Sequence, residues 1–399
     1  MHTVIELFDK EQILNVLLPL ALPAKTVVFV GSHHMKEYRE SLERFFAMQK
    51  MELSLYFYTV DTSDCEAIMS VLKKVLERFP QSVVDVSGGQ DLPLVVSGVF
   101  CRENHVPMYW FEKNKHRFIK VYGSASAPEV EWQGRLNYND FITLAGGSSL
   151  RRGHYFTSEF SSKMYGEILE IWKIYFKNPQ KWAHNAMYFQ QISGLASEEN
   201  GLCVDSPLKI NQEGGKYFEA QPEVLEELAA IGVLQKLRLT GGRVSYSYKN
   251  EMLKRWLNDV GIWLELYTYI TAKRTGYFDS AQTSVVVDWD GKYSRECNTT
   301  NEIDAILTKG LRAVFISCKV GLPTTIALNE IYVLAKRFGG EWAKAVLVTA
   351  SKFSQDSPSV YQRARDLGVH VVEYADIAAG KLGKRLVEIA SEKGEIKCL

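Results

Sequence analysis

The sequence lacks every compositional bias that would tie it to one class of partner. Lys and Arg number 47 and Asp and Glu 47, so the 399-residue chain carries no net charge. A protein that coats nucleic acid constitutively carries a basic excess, so any nucleic-acid contact is expected to be local or conditional. The six cysteines, Cys65, Cys101, Cys203, Cys297, Cys318 and Cys398, are scattered. With no C-x-x-C pair and no His pair at zinc spacing, they argue against a disulfide scaffold and a structural zinc. No apolar run reaches the ~20 residues of a membrane span; the longest, Ile13 to Gly31, is broken by Asn15, Pro19, Pro23 and Lys25. No basic-then-apolar leader opens the sequence, and the expectation is a cytoplasmic, reduced protein with no membrane association. Neither G-x-G-x-x-G nor G-x-x-x-x-G-K-[ST] occurs, which leaves ordinary dinucleotide or Walker-type nucleotide binding without support. What remains is ordinary globular composition, 46% apolar and 24% charged, over a length that suits two or three domains.

The first third alternates strand and helix. Thr3–Phe8, Thr26–Val30, Leu53–Val60, Ser82–Val86 and Val106–Phe111 read as strands. Lys10–Leu22, Met35–Met51, Cys65–Phe79 and Leu92–Phe100 between them have helical spacing. Continuous apolar runs such as TVVFV belong to strands covered on both faces. The pattern predicts an α/β, doubly wound, mostly parallel Rossmann-like sheet. In such sheets ligands lie beyond the carboxyl ends of the strands. The residues there are Asp9, then Gly31, Ser32 and His33, then Asp61 and Thr62, then Ser87, Gly88, Gly89 and Gln90. Two glycines between a strand and a helix let backbone N–H groups approach an anion; equally, they make a tight turn. His33 and His34 open the second helix as phosphate or ribose contacts or as a surface pair.

The small polar stretch Gly123–Pro128 suggests a first boundary, dividing the chain into 1–125, a linker of 126–250 and a third unit of 251–399. In the linker, Phe160–Tyr175 and Trp182–Ile192 have helical spacing. Pro222–Leu234 followed by strands around Gly241-Gly242 resembles a winged-helix unit, with a structural role favoured over DNA binding. Its aromatic residues Phe160, Tyr165, Trp172, Tyr175 and Phe176 read as helix core.

The last third reads α-β-β-β-α-β. Its elements are a long helix Met252–Ala272, strands Ser284–Trp289, Asn301–Leu307 and Arg312–Lys319, a helix Thr324–Phe338 and a strand Ala345–Thr349. Asp290-Gly291 signals a hairpin turn. Glu302 and Asp304 share one strand face because they are two apart, as do Ser317 and Lys319. An acid on one strand and a lysine ending its neighbour suit metal-assisted phosphodiester hydrolysis. The carboxylate holds a dication that activates water, and lysine offsets phosphate charge. Cys318 points to the other face and reads as core.

Two resemblances follow from these residues. VVDVSGGQDLPLVVSGVF (Val83–Phe100), with VIELFDKEQ (Val4–Gln12), resembles the CRISPR-associated Rossmann fold sensor domain over residues 1–125. GIWLELYTYI (Gly261–Ile270), NEIDAIL (Asn301–Leu307) and ISCK (Ile316–Lys319) resemble the PD-(D/E)XK nuclease half of cyclic-oligoadenylate-activated type III CRISPR effectors. The resemblance implies a restriction-endonuclease-like α/β domain in which Glu265 supports the metal site, Asp304 binds Mg2+ or Mn2+, and Lys319 is the catalytic lysine. It also implies a homodimer holding one cyclic oligoadenylate, cyclic tetraadenylate by family likeness, and cutting DNA or RNA in antiviral defence. The sequence departs from E-x-K at Ser317, a poor ligand for a hard dication; the backbone carbonyl of Cys318, Glu265 or Glu302 then has to make up the site, with Glu330 as a further candidate. Two alternatives stay open: a sensor-regulated binding protein whose nuclease fold is inert, and a constitutive restriction- or resolvase-like nuclease.

Overall fold

Valine and isoleucine runs without polar interruption build the first sheet, because a strand covered on both faces has no solvent side. The computed structural model describes residues 2–150, 160, 162–193, 201–211, 217–292 and 299–392. In it β1 (His2–Leu7) passes through α1 (Leu17–Ala21) to β2 (Ala24–Gly31), α2 (Arg39–Met48) and β3 (Ser54–Thr59). There follow α3 (Cys65–Arg78), β4 (Ser82–Asp85), α4 (Asp91–Glu103), β5 (Met108–Glu112) and β6 (Arg117–Tyr122). The order is β3-β2-β1-β4-β5-β6, parallel throughout except for β6, which returns antiparallel to β5. The expected doubly wound α/β class is what is found. The helix expected over Met35–Met51 opens instead as a 3-10 segment, His33–Tyr38, before α2 begins.

The chain then enters the second sheet before the middle region. After α5 (Tyr138–Leu144), β7 (Ser148–Leu150) pairs antiparallel with a strand far ahead, Ser280–Asp288. The middle region holds α6 (Ser162–Lys177), α7 (Pro179–Ser193), β8 (Cys203–Pro207), β9 (Lys209–Asn211) and β10 (Tyr217–Glu219). It closes with α8 (Pro222–Ala230), β11 (Leu234–Thr240) and β12 (Arg243–Tyr248). β11, β12 and β8 form an antiparallel sheet, turned at Gly241-Gly242 with both φ angles positive. Trp172 and Tyr175 are buried, so the aromatic residues of α6 are core there, as read.

The long helix expected over Met252–Ala272 is two helices, α9 (Glu251–Leu257) and α10 (Ile262–Arg274). The break has a local cause: Asp259 Oδ1 accepts from the N–H groups of Gly261 (2.7 Å) and Ile262 (3.2 Å), competing with helical carbonyls. Next come β13 (Ser280–Asp288), β14 (Thr300–Lys309), β15 (Arg312–Lys319), α11 (Thr325–Gly339), β16 (Ala343–Thr349) and β17 (His370–Val372). The second sheet runs β17-β16-β15-β14-β13-β7, parallel from β15 to β17 and antiparallel on the other side. Asp290-Gly291 does not make a tight two-residue hairpin; it only opens the connection between β13 and β14. Among the described residues no helix is long and apolar enough to cross a membrane.

The two large sheets share one core. Val4, Val27, Phe29 and Val83 of the first sheet lie in the same buried cluster as Phe315, Ala345 and Leu347 of the second, with Phe141 of α5 and Leu328 and Ile331 of α11. The other face of the first sheet is covered by α3 and α4. The other face of the second packs on α10 and the middle region.

Inside the shared core sit two acids that the sequence reading passed over. Glu6 and Asp85 are register partners on β1 and β4, both almost fully buried. Glu6 Oε1 and Asp85 Oδ2 have no hydrogen-bond partner. Burial pushes Asp85 up to about 7, against the pull of the Ser87 hydroxyl and N–H. It also raises Glu6, with the Asp85 charge adding to the effect. The folded protein therefore keeps protons that the unfolded chain has released, and stability is lost as pH rises from about 4 through 7. At about 1.4 kcal/mol per unit, the Asp85 shift alone amounts to roughly 4 kcal/mol. Urea unfolding of the protein and of Asp85→Asn at pH 5 and pH 8 tests this: the loss at pH 8 should shrink in the variant, and equal losses would refute the assignment.

Candidate functional site

Two sites emerge, one at the carboxyl ends of the first sheet and one where β14 parts from β15. The first is a crevice of about 490 Å3. Of the residues expected there, Asp9, Gly31, Ser32, Thr62, Gly89 and Gln90 line it. His33, Asp61, Ser87 and Gly88 do not. Asp61 instead accepts from the Ser63 hydroxyl at 2.6 Å, and Ser87 Oγ accepts from the Phe111 N–H at 2.8 Å. Lys10, His34, Glu37 and Tyr38 complete the wall. Of the adjacent pair that opens the 3-10 segment, His34 rather than His33 lines the crevice.

Asp9 builds the crevice. Its Oδ2 accepts from the Gly89 N–H and its Oδ1 from the Glu11 N–H, each at 2.7 Å. Its own N–H donates to Asn15 Oδ1 at 2.8 Å, and its carbonyl accepts from Asn15 Nδ2 (2.8 Å) and Gln12 Nε2 (2.9 Å). The Gly89 N–H that was expected to face an anion is thus taken by Asp9. Gly89 is required for another reason: its φ is +108°, and a Cβ there would come within 2.8 Å of Leu7 Cβ. A Cβ on Gly88 would lie 2.9 Å from Asp9 Cβ. The turn is a close backbone approach locked by one carboxylate.

Both lining segments continue into contacts with the second sheet. One residue past Lys10, Glu11 Oε2 accepts from the Glu341 N–H at 3.4 Å, just before β16. Past Tyr38, α2 donates from Arg44 to the Gly146 carbonyl (3.1 Å), and Gln49 after it donates to Asp140 (2.6 Å).

The second site centres on Asp304. The β14–β15 register ends at Ala305↔Ile316. Immediately beyond, Asp304 Oδ2 receives the Cys318 N–H (2.6 Å), the Ser317 hydroxyl (3.2 Å) and the Lys319 ammonium (3.5 Å). All three of these donors go to Oδ2, and acids crowd the same site. There Glu265, in the first turn of α10, is raised well above the carboxylate range by burial and then by Asp304, Glu302 and Asp259; Lys319 pulls it back. Burial raises Asp304 as well, against Lys319, the Cys318 N–H and the Ser317 hydroxyl. The Cys318 thiol lies 3.7 Å from the Thr268 hydroxyl and burial pushes it far above its ordinary value, so it stays a thiol. Glu330 faces away, accepting from Asn301 Nδ2 at 2.8 Å.

Among the described residues no three His, Cys, Asp or Glu side chains are placed to hold a metal. Glu265 and Asp304 are two crowded carboxyls whose mutual repulsion a dication would relieve, and Mg2+ is commonly held by one or two carboxylates with water completing the shell. The donor set therefore fits a hard cation that keeps most of its waters.

No family model matches the sequence, and no curated protein matches it. Solved structures share the fold over the whole chain. Protein VC1899 from Vibrio cholerae matches with a TM-score of 0.74 at 17% identity, covering 97% of each chain. Can2 from Sulfobacillus thermosulfidooxidans, in complex with cyclic tetra-adenylate, matches with a TM-score of 0.68 at 14% identity, covering 98% of this chain and all of that one. A type III CRISPR defence DNA nuclease activated by cyclic oligoadenylate matches with a TM-score of 0.52 at 13% identity; this chain spans about half of it, 53%.

The crevice geometry yields a direct expectation. Asp9→Ala removes the charged acceptor of the half-buried Gly89 and Glu11 N–H groups, and hydrogen bonds to charged groups contribute about 1.5–3 kcal/mol each. Chemical unfolding should show a loss in that range, and an unchanged midpoint would mean that Asp9 does not hold the turn.

Proposed function

We propose that the protein is a cyclic-oligoadenylate-activated, metal-dependent nuclease of type III CRISPR defence. The observation that carries the reading is the meeting of Glu265, Asp304 and Lys319, from one helix and two strands, in a chain that also has an open crevice at its other sheet. The fold shared with a protein bound to cyclic tetra-adenylate supports it.

In this reading the activator occupies the crevice, with Lys10 and His34 facing its phosphates and Tyr38 its bases. A volume of about 490 Å3 lies in the range for one small ligand, and a four-nucleotide ring is larger. Two copies facing each other across a two-fold axis enclose the ring, and Val95 and Val99, exposed on the helix beside the crevice, suit the contact between them. At the second site Asp304, Glu265 and the Cys318 carbonyl would hold Mg2+ or Mn2+, with Glu302 adding negative charge beside Glu265. The ion supplies an activated water and charge stabilisation at phosphate. Lys319, half-exposed at the end of β15, neutralises the developing charge on the scissile phosphate. Ser317 keeps Asp304 oriented through its hydroxyl in place of a third carboxylate. The substrate is nucleic acid, and Lys273 and Arg274, in the last turn of the helix that carries Glu265, offer contacts to its backbone.

One observation favours the binding-protein alternative: the residue in the E-x-K acid position is a serine that donates to Asp304 rather than offering a charge. Labelled single-stranded RNA, single-stranded DNA and supercoiled plasmid, incubated with Mn2+ with and without cyclic tetraadenylate, separate the readings. Cleavage should require the activator and fall by 100-fold or more in Asp304→Ala and Lys319→Ala, as expected for loss of transition-state electrostatics. Activator-dependent binding without cleavage supports the alternative, and cleavage indifferent to the activator removes the sensor from the mechanism.

A further inference from the structure

Five non-glycine residues have a positive φ among the described residues: Lys50, His105, His116, Lys236 and Ser284. Only Ser284 is fully buried. It lies in the middle of β13 with φ +50°, a conformation that a serine inside a strand has no local reason to adopt. Its hydroxyl is buried with no hydrogen-bond partner, so side-chain bonding does not hold it there.

The register shows what the conformation does. Thr283 pairs with Ala305 and Val285 with Ile303, which sets Ser284 opposite Asp304 with no residue inserted in either strand. Along a regular strand residues two apart share a face, and here they do not. Ala281 packs against the core on the α10 side, whereas Val285 and Val287 belong to the core shared with the first sheet. On β14, Ala305 and Leu307 belong to the α10 side and Ile303 to the shared core. Both strands exchange faces at the same step, 284 on one and 304 on the other. Thr283 Oγ1 fastens the step by donating to the Asp304 carbonyl at 2.6 Å.

A side chain at such a reversal need not stand up from either face. Asp304 reaches across toward β15, and its Oδ2 takes the Cys318 N–H at the point where the β14–β15 register stops. We propose that Ser284 is a positioning residue: its left-handed backbone reverses the pleat and so aims the Asp304 carboxylate into the gap between β14 and β15, beside Lys319. The inference rests on the catalytic reading of Asp304 given above, but its geometric half stands without it.

The test uses the full-length protein with Ser284→Gly, Ser284→Ala, Ser284→Thr and Ser284→Val, read in two ways. Glycine adopts a positive φ freely and valine resists it. Amide hydrogen exchange, without activator or metal, compares the Cys318 N–H with the Val346 N–H in the neighbouring strand. Ser284→Gly should leave both amides as they are. Ser284→Val should speed exchange at Cys318 by at least about tenfold relative to Val346, and Ser284→Thr, also β-branched, should do so to a smaller degree and serve where the valine variant does not fold; Ser284→Ala, which keeps the Cβ and loses only the unpartnered hydroxyl, should leave both amides as they are. Activator-dependent cleavage should follow the same order, near normal in Ser284→Gly and lower by about 100-fold in Ser284→Val, the scale of a small misplacement of a reacting group. Unchanged Cys318 exchange in Ser284→Thr and Ser284→Val would overturn the proposal, as would faster exchange in Ser284→Gly or Ser284→Ala, which would assign the effect to the hydroxyl. Absence of cleavage by the unsubstituted protein would instead count against the nuclease reading, while the exchange measurement still decides the role of Ser284.

Discussion

The apolar layer between the two large sheets is the constraint on which the rest of the molecule depends. One face of the first sheet and one face of the second bury their valines, phenylalanines and leucines against each other and against α5 and α11. Interiors of this kind are close-packed and respond to displacement by shifting packed elements rather than by yielding locally. Packed, rigid parts therefore lie between the crevice and the Asp304 site. The segments that leave the crevice, Glu11 and α2, touch the second sheet's connections at Glu341, Gly146 and Asp140. Arg44 also lies against the loop that joins β13 to β14: a Cβ on Gly291 would come within 2.6 Å of its guanidinium. That loop continues both strands of the 284/304 step. A ligand that moves the first segments by differential contact thus moves the two strands that set the direction of Asp304.

Glu6 and Asp85 show what the same layer tolerates. Two carboxyls on adjacent central strands, with oxygens that find no partner, are tolerated because burial raises the proton affinity of both and so favours the neutral form. A neutral carboxyl costs far less to bury than a charge. Their position, one strand step below the crevice floor on β1 and β4, makes the floor sensitive to any change in their protonation.

Much of this was legible in the sequence, for physical reasons that also explain the failures. Strand identity follows from continuous β-branched runs, and Arg312–Lys319 was read to the residue because a buried strand ends where its polar residues begin. Asp304 and Lys319 were legible together from strand alternation and strand order, whereas Glu265 joined them only through the resemblance of GIWLELYTYI to the nuclease family's first helix. The break between α9 and α10 was not, because Asp259 acts through its side chain on backbone N–H groups two and three residues ahead, which apolar periodicity does not register. The crevice wall was half legible: strand ends located it, but adjacency in sequence does not tell which of His33 and His34 turns into it, and His34 does. Asp9 was placed at the crevice without its role, because its partner Gly89 is 80 positions away. Ser284 carried no signal at all, since a serine in SVVVDW looks like the start of a strand.

The serine at 317 can be understood from charge alone. Asp304, Glu302 and Asp259 already raise the proton affinity of Glu265, burial raises that of Asp304, and Lys319 is the single cation paired with Asp304 among the described residues. A third carboxylate at 317 would sit against the same Oδ2 and lift all three further, so the resting protein would have to hold protons or a cation to keep its strand ends together. A hydroxyl reverses that demand: it donates to Asp304 and stabilises the ionised form that Lys319 already favours. The site gives up one negative charge, and in return the Asp304 carboxylate keeps a donor that holds it toward β15. Pre-organisation of one carboxylate replaces attraction by several, which is why the backbone geometry at Ser284 carries more of the site here than it would in a site with its full complement of acids.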